Sequence, residues 1–233
     1  MSIFDRATLN IGLKFNLPVQ PCVLCGSMSH HGIWCEACDI AMPYHNAPHC
    51  PVCAKTTPTG EVCGHCLKKP PAFSRTVALF DYSFPADRLI QSMKYNEQLA
   101  LAKMFAEKLL QRIDNSKLPD CVIAMPLHPA RLKSRGFNQA QLIAAPLARS
   151  LGLPLPSHAC RRLRDTPSQT SLPFRERGKN MRGAFACDAD FAGKHVALVD
   201  DVMTTGASMN ALAEAVRKCG AIRVSAWVVA RTV

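Results

Sequence analysis

The chain has 233 residues, 48% of them hydrophobic and 19% charged. That excludes a disordered polypeptide and leaves room for one full core plus a small appendage. The net charge is +11, which favours an anionic partner such as phosphate, pyrophosphate or nucleic acid. The longest apolar runs, such as Cys121–Leu127, are far short of a bilayer span. The first fifteen residues carry Asp5, Arg6 and Lys14 and lack the apolar block of a signal peptide. A cytoplasmic protein without membrane insertion is expected.

Eight of the twelve cysteines lie between Cys22 and Cys66, all in C-x-x-C pairs: Cys22/Cys25, Cys35/Cys38, Cys50/Cys53 and Cys63/Cys66. Adding 28 to each of the first four positions gives the last four, so a C-x2-C-x9-C-x2-C unit occurs twice. Each C-x-x-C turn aims two thiolates at one point, and four thiolates suit tetrahedral zinc. A closed shell of that kind leaves no open position for catalysis. Two structural zinc sites are expected. Their ligands are either sequential (Cys22, Cys25, Cys35, Cys38 and Cys50, Cys53, Cys63, Cys66) or cross-braced. An iron–sulfur cluster also accepts four thiolates, but the even tandem spacing fits ribbons better. His30, His31, His45, His49 and His65 crowd the region, yet four cysteines already complete each shell. The single cysteines Cys121, Cys160, Cys187 and Cys219 read as small core residues.

The Pro70-Pro71 pair after Lys68-Lys69 marks a boundary. Residues 1–71 are expected to form the double ribbon and residues 72–233 a second domain. Thr76 to Tyr82 reads as a strand. Leu99, Ala102, Phe105, Leu109 and Ile113 recur at helical steps. Val122 to Met125, His195 to Val199 and Val224 to Ala230 are short apolar runs of the kind found in strands covered on both faces. Gln139 to Ser150, bent at Pro146, and Ser208 to Cys219 read as helices. Strands alternating with helices predict an α/β fold with a mostly parallel sheet. Such sheets hold ligands at the carboxyl ends of their strands.

One such end is unusual. The strand His195–Val199 stops at Asp200-Asp201, and Thr204, Thr205, Gly206, Ala207 and Ser208 follow just before a helix. Backbone N–H groups, three hydroxyls and a helix N-terminus together suit a phosphate monoester. Gly206 lets the backbone approach the anion, and the two acids are acceptors for neighbouring sugar hydroxyls. The parts describe a ribose 5-phosphate site. No G-K-[ST] and no G-x-G-x-x-G is present, so this is neither a Walker loop nor a dinucleotide fingerprint.

The run Val196–Ser208 resembles the phosphoribosyl pyrophosphate (PRPP) motif of type I phosphoribosyltransferases. With cysteine ribbons in front, the chain as a whole resembles the ComF/GntX family of competence and DNA-utilisation proteins. Pro126-Leu127-His128-Pro129 followed by Arg131, Arg135, Gly136, Phe137, Asn138 and Gln139 is close to that family's second signature. Arg164, Thr166, Gln169, Leu172, Arg177, Asn180 and Gly183-Ala184-Phe185 form a third block. The resemblance implies that Met125 to His128 receives the pyrophosphate, with Leu127, His128, Arg131 and Arg135 on that side. It implies a flexible loop from Arg161 to Arg182 that includes Arg164, Gln169 and Arg177. Between Arg131 and Arg182, eleven Lys/Arg stand against Asp165 and Glu176, whereas residues 1–72 hold five against four. The positive field therefore gathers where the resemblance places the ligand.

Two functional classes follow. In the first, the protein is a Mg²⁺- and PRPP-dependent phosphoribosyltransferase whose acceptor is unknown and in which no residue stands out as a base. In the second, it is a non-catalytic adaptor that uses its ribbons and basic stretch to hold single-stranded DNA or DNA-processing proteins, with PRPP as a regulatory ligand. Aromatic residues are only 6% of the chain, so stacking platforms for a strand are few. A role in DNA uptake or utilisation rests on the resemblance alone.

Overall fold

The computed structural model describes residues 19–30, 32–95, 98–165, 181 and 183–232. The chain falls into two compact units, Met1–Ala41 and Met42–Val233. The Pro70-Pro71 boundary expected from the sequence lies inside the second unit.

In the first unit β1 (Gln20–Pro21) and β2 (Met28–Ser29) pair antiparallel, and α1 (Glu36–Ile40) follows. Trp34 is the buried centre of this small unit. Its indole N–H donates to the Asp39 carboxylate at 2.7 Å, and the Ser29 hydroxyl donates to its carbonyl at 3.0 Å.

The 28-residue sequence repeat is a repeat of backbone geometry. The Gly26 amide donates to Cys22 O, and the Ala54 amide donates to Cys50 O. The Asp39 amide donates to Cys35 O, and the Leu67 amide donates to Cys63 O. Helix α2 (Gly64–Lys68) is α1 displaced by one repeat. The one costly departure is Ala54, which holds the left-handed φ of 55° that Gly26 adopts without a side-chain clash. Its methyl is fully buried in the core of the second unit, which offsets the strain.

The core of the second unit is a four-stranded parallel sheet in the order β3-β8-β7-β4. The strands are β3 (Arg75–Asp81), β4 (Cys121–Ala124), β7 (His195–Met203) and β8 (Arg223–Arg231). Their near-continuous apolar runs reflect burial on both faces. Helix α4 (Ala100–Leu110) packs on β3 and β8, and α6 (Gln139–Leu151) packs on β4 and β7. On the other face, Met209, Leu212, Ala213 and Val216 of α7 (Ala207–Lys218) join Ala78, Val196, Leu198, Val224, Ala226 and Val228. The expected α/β class, the parallel sheet and the covered strands are all present. Pro146 sits inside α6 without ending it.

The outer edge of β3 is covered by the second ribbon. The His45 amide donates to Leu79 O, the Asp81 amide donates to Pro43 O, and the Thr76 amide donates to Pro51 O. An open strand edge is thereby closed. His45 Nδ1 lies 2.5 Å from Asp81 Oδ1, so this histidine serves the junction and not a metal. Burial pushes its pKa down, against the hydrogen bond from Asp81 that raises it.

Two expectations are corrected. Cys160 and Cys187 are not simple core thiols. They face each other across an antiparallel ribbon of β5 (Cys160–Arg162) and β6 (Phe185–Cys187) and form a disulfide, with Cα atoms 4.0 Å apart. Register, which no single cysteine reveals, sets that pair. Strand β7 also continues past Val199 to Met203, so Asp200 and Asp201 lie within the strand.

Candidate functional site

The four sulfurs of Cys22, Cys25, Cys35 and Cys38 lie within 4.8 Å of one another, as do those of Cys50, Cys53, Cys63 and Cys66. Ligation is therefore sequential. Cys25 and Cys35 sulfurs are 3.7 Å apart, and so are those of Cys53 and Cys63. A tetrahedron with Zn–S bonds of about 2.3 Å has edges of about 3.8 Å, so both sets fit zinc. No described histidine joins either group.

At the carboxyl ends of β7 and β4 lies a cavity of about 300 Å³. Of the residues expected at a ligand site, it collects Asp200, Asp201, Thr204, Gly206 and Ser208 from one side and Leu127, Arg131 and Arg135 from the other. These come from distant segments that local pattern could not place beside each other and that only the family resemblance had assigned to one ligand.

The two acids are not equivalent. Successive strand residues point to opposite faces. Asp201 is buried, and its Oδ2 lies 3.0 Å from the Lys94 ammonium on α3 (Ala86–Tyr95). Its Oδ1 accepts from the Val202 amide at 2.6 Å, so both carboxylate oxygens have a fixed neighbour. Asp200 is half-buried and accepts from the Asp201 amide at 2.9 Å. Desolvation first, then repulsion by Asp201, push the Asp200 carboxyl up to about 7. Burial works against the Lys94 charge, but Asp201 and Asp200 outweigh it and its pKa is raised.

Gly206 caps α7 with φ 79°, a left-handed backbone that favours glycine. The first amides of any helix have no intrahelical acceptor. Here the Ala207 amide is met at 3.2 Å by the Thr205 hydroxyl. Thr205 and Ala207 shape the turn and do not line the cavity. Below the turn lies Arg231, the buried last residue of β8. Its guanidinium donates to the carbonyls of Met203 (3.0 Å) and Thr204 and, from Nε, to that of Cys53 (2.8 Å). One side chain thus ties the turn to a metal-binding knuckle.

On the opposite wall α5 (Pro129–Arg135) starts at His128, whose Nδ1 accepts from the Ala130 amide at 3.3 Å. His128 acts as a helix cap and does not line the cavity. Arg131 pairs with Asp165 at 3.0 Å. Arg135 donates to Gln139 at 2.7 Å and stacks 5.6 Å over the Tyr95 ring. Asn138 caps α6 and donates to Met125 O at 3.0 Å, which holds the end of β4.

Of the loop residues, Arg164 is exposed and does not line the cavity. His31, Thr166, Gln169, Leu172, Arg177, Asn180 and Arg182 lie outside the described residues. Arg162, Lys94 and Tyr82 line the cavity without having been singled out as ligands. Strand alternation would have found Arg162: Cys160 and Arg162 point inward, whereas Arg161 points out and pairs with Asp188. Burial, then repulsion by Arg131, lower the Arg162 pKa against the pull of Asp200.

Comparison with known proteins agrees with this geometry. Residues 13–67 match the double zinc ribbon domain family, and residues 138–232 match the phosphoribosyl transferase domain family. The DNA utilization protein YhgH of Salmonella typhi is 35% identical over 91% of this chain and 96% of its own. Competence protein F of Haemophilus influenzae is 31% identical over 90% of this chain and 96% of its own. A solved purine phosphoribosyltransferase from Pyrococcus horikoshii Ot3 superposes with TM-score 0.31 at 21% identity, over 68% of this chain and 88% of that one, too loosely to add to the case. A double zinc ribbon, a phosphoribosyltransferase-type sheet and whole-length similarity to these relatives place the chain in the ComF/GntX family.

Proposed function

We propose that the cavity at the ends of β4 and β7 binds PRPP with Mg²⁺ and that the protein transfers its phosphoribosyl group. The observation that carries this reading is the charge layout of this cavity. Acids and a small-residue turn lie on one side, and Arg131, Arg135 and Arg162 on the other.

The 5-phosphate would sit on the turn Thr204–Ser208, where the hydroxyls and the N-terminus of α7 favour an anion. Asp200 would accept from the ribose hydroxyls. Asp201, held by Lys94 at Oδ2 and by the Val202 amide at Oδ1, would fix the position of Lys94 and add negative charge beside the ribose. Arg131, Arg135 and Arg162 would neutralise the pyrophosphate, supported by amides of the Met125–His128 loop. Asp200 and Asp201 would hold Mg²⁺, directly or through water, and the bound ion would supply charge neutralisation for the leaving pyrophosphate. In the transfer, the bond from C1 to the pyrophosphate oxygen breaks and a bond from C1 to the acceptor forms. The acceptor's proton leaves to solvent and pyrophosphate departs. The chain's contribution is positioning and charge, since among the described residues no base lies in the cavity wall beyond these acids. By relationship to proteins named for DNA utilisation and competence, we place this activity in the handling of DNA.

Thermal melting with PRPP and Mg²⁺ tests the binding step. At a hundredfold excess over Kd the native state gains about 2.7 kcal/mol, and Asp200→Asn should lose most of that gain. Pyrophosphate release across an acceptor screen tests the transfer. No stabilisation by millimolar PRPP would end this reading, while stabilisation without turnover would leave a PRPP-binding protein.

A further inference from the structure

At the other end of the sheet, where the strands begin, a second cavity of about 410 Å³ opens between the second ribbon and the head of β3. Its charged lining is Arg75, Arg112, Arg223 and, when protonated, His49; no acidic residue lines it. Arg75 opens β3 and Arg223 opens β8. The register pairs Arg75 with Ser225, two residues beyond Arg223, so both arginines leave the sheet on the same face. Both are exposed.

Arg112 closes the cavity from beyond the end of α4, and it is held in place. It donates to His45 O at 2.9 Å and to the Asn46 amide oxygen, and it stacks 5.7 Å over the Tyr44 ring. Among the described residues, none of the three arginines has a carboxylate within ion-pair distance. The nearby acids are occupied elsewhere: Asp81 by His45, and Asp114 by Ser116 and Lys117. Burial lowers the Arg112 pKa, against the pull of Tyr44 and Asp81 that raises it. Three guanidinium groups line one concave wall without a salt bridge, with Asp81 and Asp114 acting on Arg112 and Arg75 only from beyond ion-pair distance, and guanidinium forks match phosphate oxygens better than any other side chain does.

We propose that this cavity is a second phosphate-binding site, at the far end of the sheet from the sugar-phosphate cavity, that takes a phosphate ester through Arg75, Arg112 and Arg223. The shared chemistry is a phosphate group, either free or carried by a nucleic-acid strand. The proposal does not depend on PRPP binding.

Arg75→Ala with Arg223→Ala removes two exposed side chains that hold nothing in the fold, and Arg112→Gln is a second, independent variant. Equilibrium dialysis with radiolabelled inorganic phosphate should show one site fewer in the double variant than in the unmodified, zinc-loaded protein. The PRPP-induced shift in Tm should stay as it was. Anisotropy of a labelled oligothymidylate across a salt series supplies the other arm. If the ligand is a strand, the double variant should weaken binding at least tenfold. The slope of log K against log salt should also fall by about 1.4, for two lost phosphate contacts. A change in phosphate binding alone assigns the site to a free phosphate ester, and a change with the oligonucleotide assigns it to a strand. Unchanged binding of both probes in both variants overturns the proposal. So does a loss of the PRPP shift that accompanies the loss of phosphate, because the two sites would then not be separate.

Discussion

The Lys94 ammonium lies 3.0 Å from the Asp201 carboxylate, and both are largely buried at the rim of the cavity at the ends of β4 and β7. Removing one member of such a pair strands a charge away from water, which costs about 3 kcal/mol or more. Lys94→Met should therefore lower stability by that order and weaken PRPP binding. Lys94→Met with Asp201→Asn should recover most of the stability and none of the binding. Urea denaturation of the two single variants and the double gives the coupling. Additive losses would show that the pair is not a unit.

Asp200 sets a pH dependence. Its folded-state pKa is raised to about 7 from an ordinary 3.8. The native state therefore holds an extra proton between about pH 4 and 7, and this group's contribution to stability is lost as pH rises through 7. Ligand binding runs the other way, because accepting from ribose hydroxyls needs the ionised form. PRPP affinity should fall up to about tenfold per pH unit below 7, read by calorimetry between pH 6 and 8. Asp200→Asn should flatten the profile, and a slope that survives this change would assign the titration elsewhere.

Arg231 joins the second cysteine knuckle to the turn after β7 through the carbonyls of Cys53, Met203 and Thr204. Arg231→Leu leaves several buried acceptors unmet, each costing about 1–3 kcal/mol. Urea melts should show a loss of at least 3 kcal/mol on that basis. A colorimetric chelator should withdraw one of the two zinc ions faster than from the unmodified chain, while the site at Cys22–Cys38 keeps its rate. Equal acceleration at both sites would show that the effect is not local.

The cysteines give a count. Ten are free and two are joined, Cys160 to Cys187. Denatured, zinc-stripped protein should take ten alkyl groups before reduction and twelve after it, by intact mass. Cys160→Ser should cost up to about 3 kcal/mol by loop entropy. Twelve groups before reduction would show the pair to be open in the purified protein.

Much of this was legible in the chain itself. Zinc ligation depends on a short period that survives as backbone geometry, so the eight cysteines could be read directly. Residues within a few positions of one another specify the apolar strands, the capped helix after Gly206 and the acids before it. Local pattern could not reveal what depends on register or on distant segments. Strand β7 runs four residues past its apolar stretch, because ladder pairing with β8 carries on to Met203 opposite Arg231. That extension turns the two acids to different faces and delivers one of them to Lys94. The opposition of Cys160 and Cys187, the inward turn of Arg162, and the gathering of Arg75, Arg112 and Arg223 depend likewise on which strands and helices meet. The sequence by itself determined the cysteine clusters and the turn capped by Gly206, since both are built from neighbours along the chain. Only the tertiary structure decided which charges share a cavity, since a charge acts through space and on whatever the fold brings beside it.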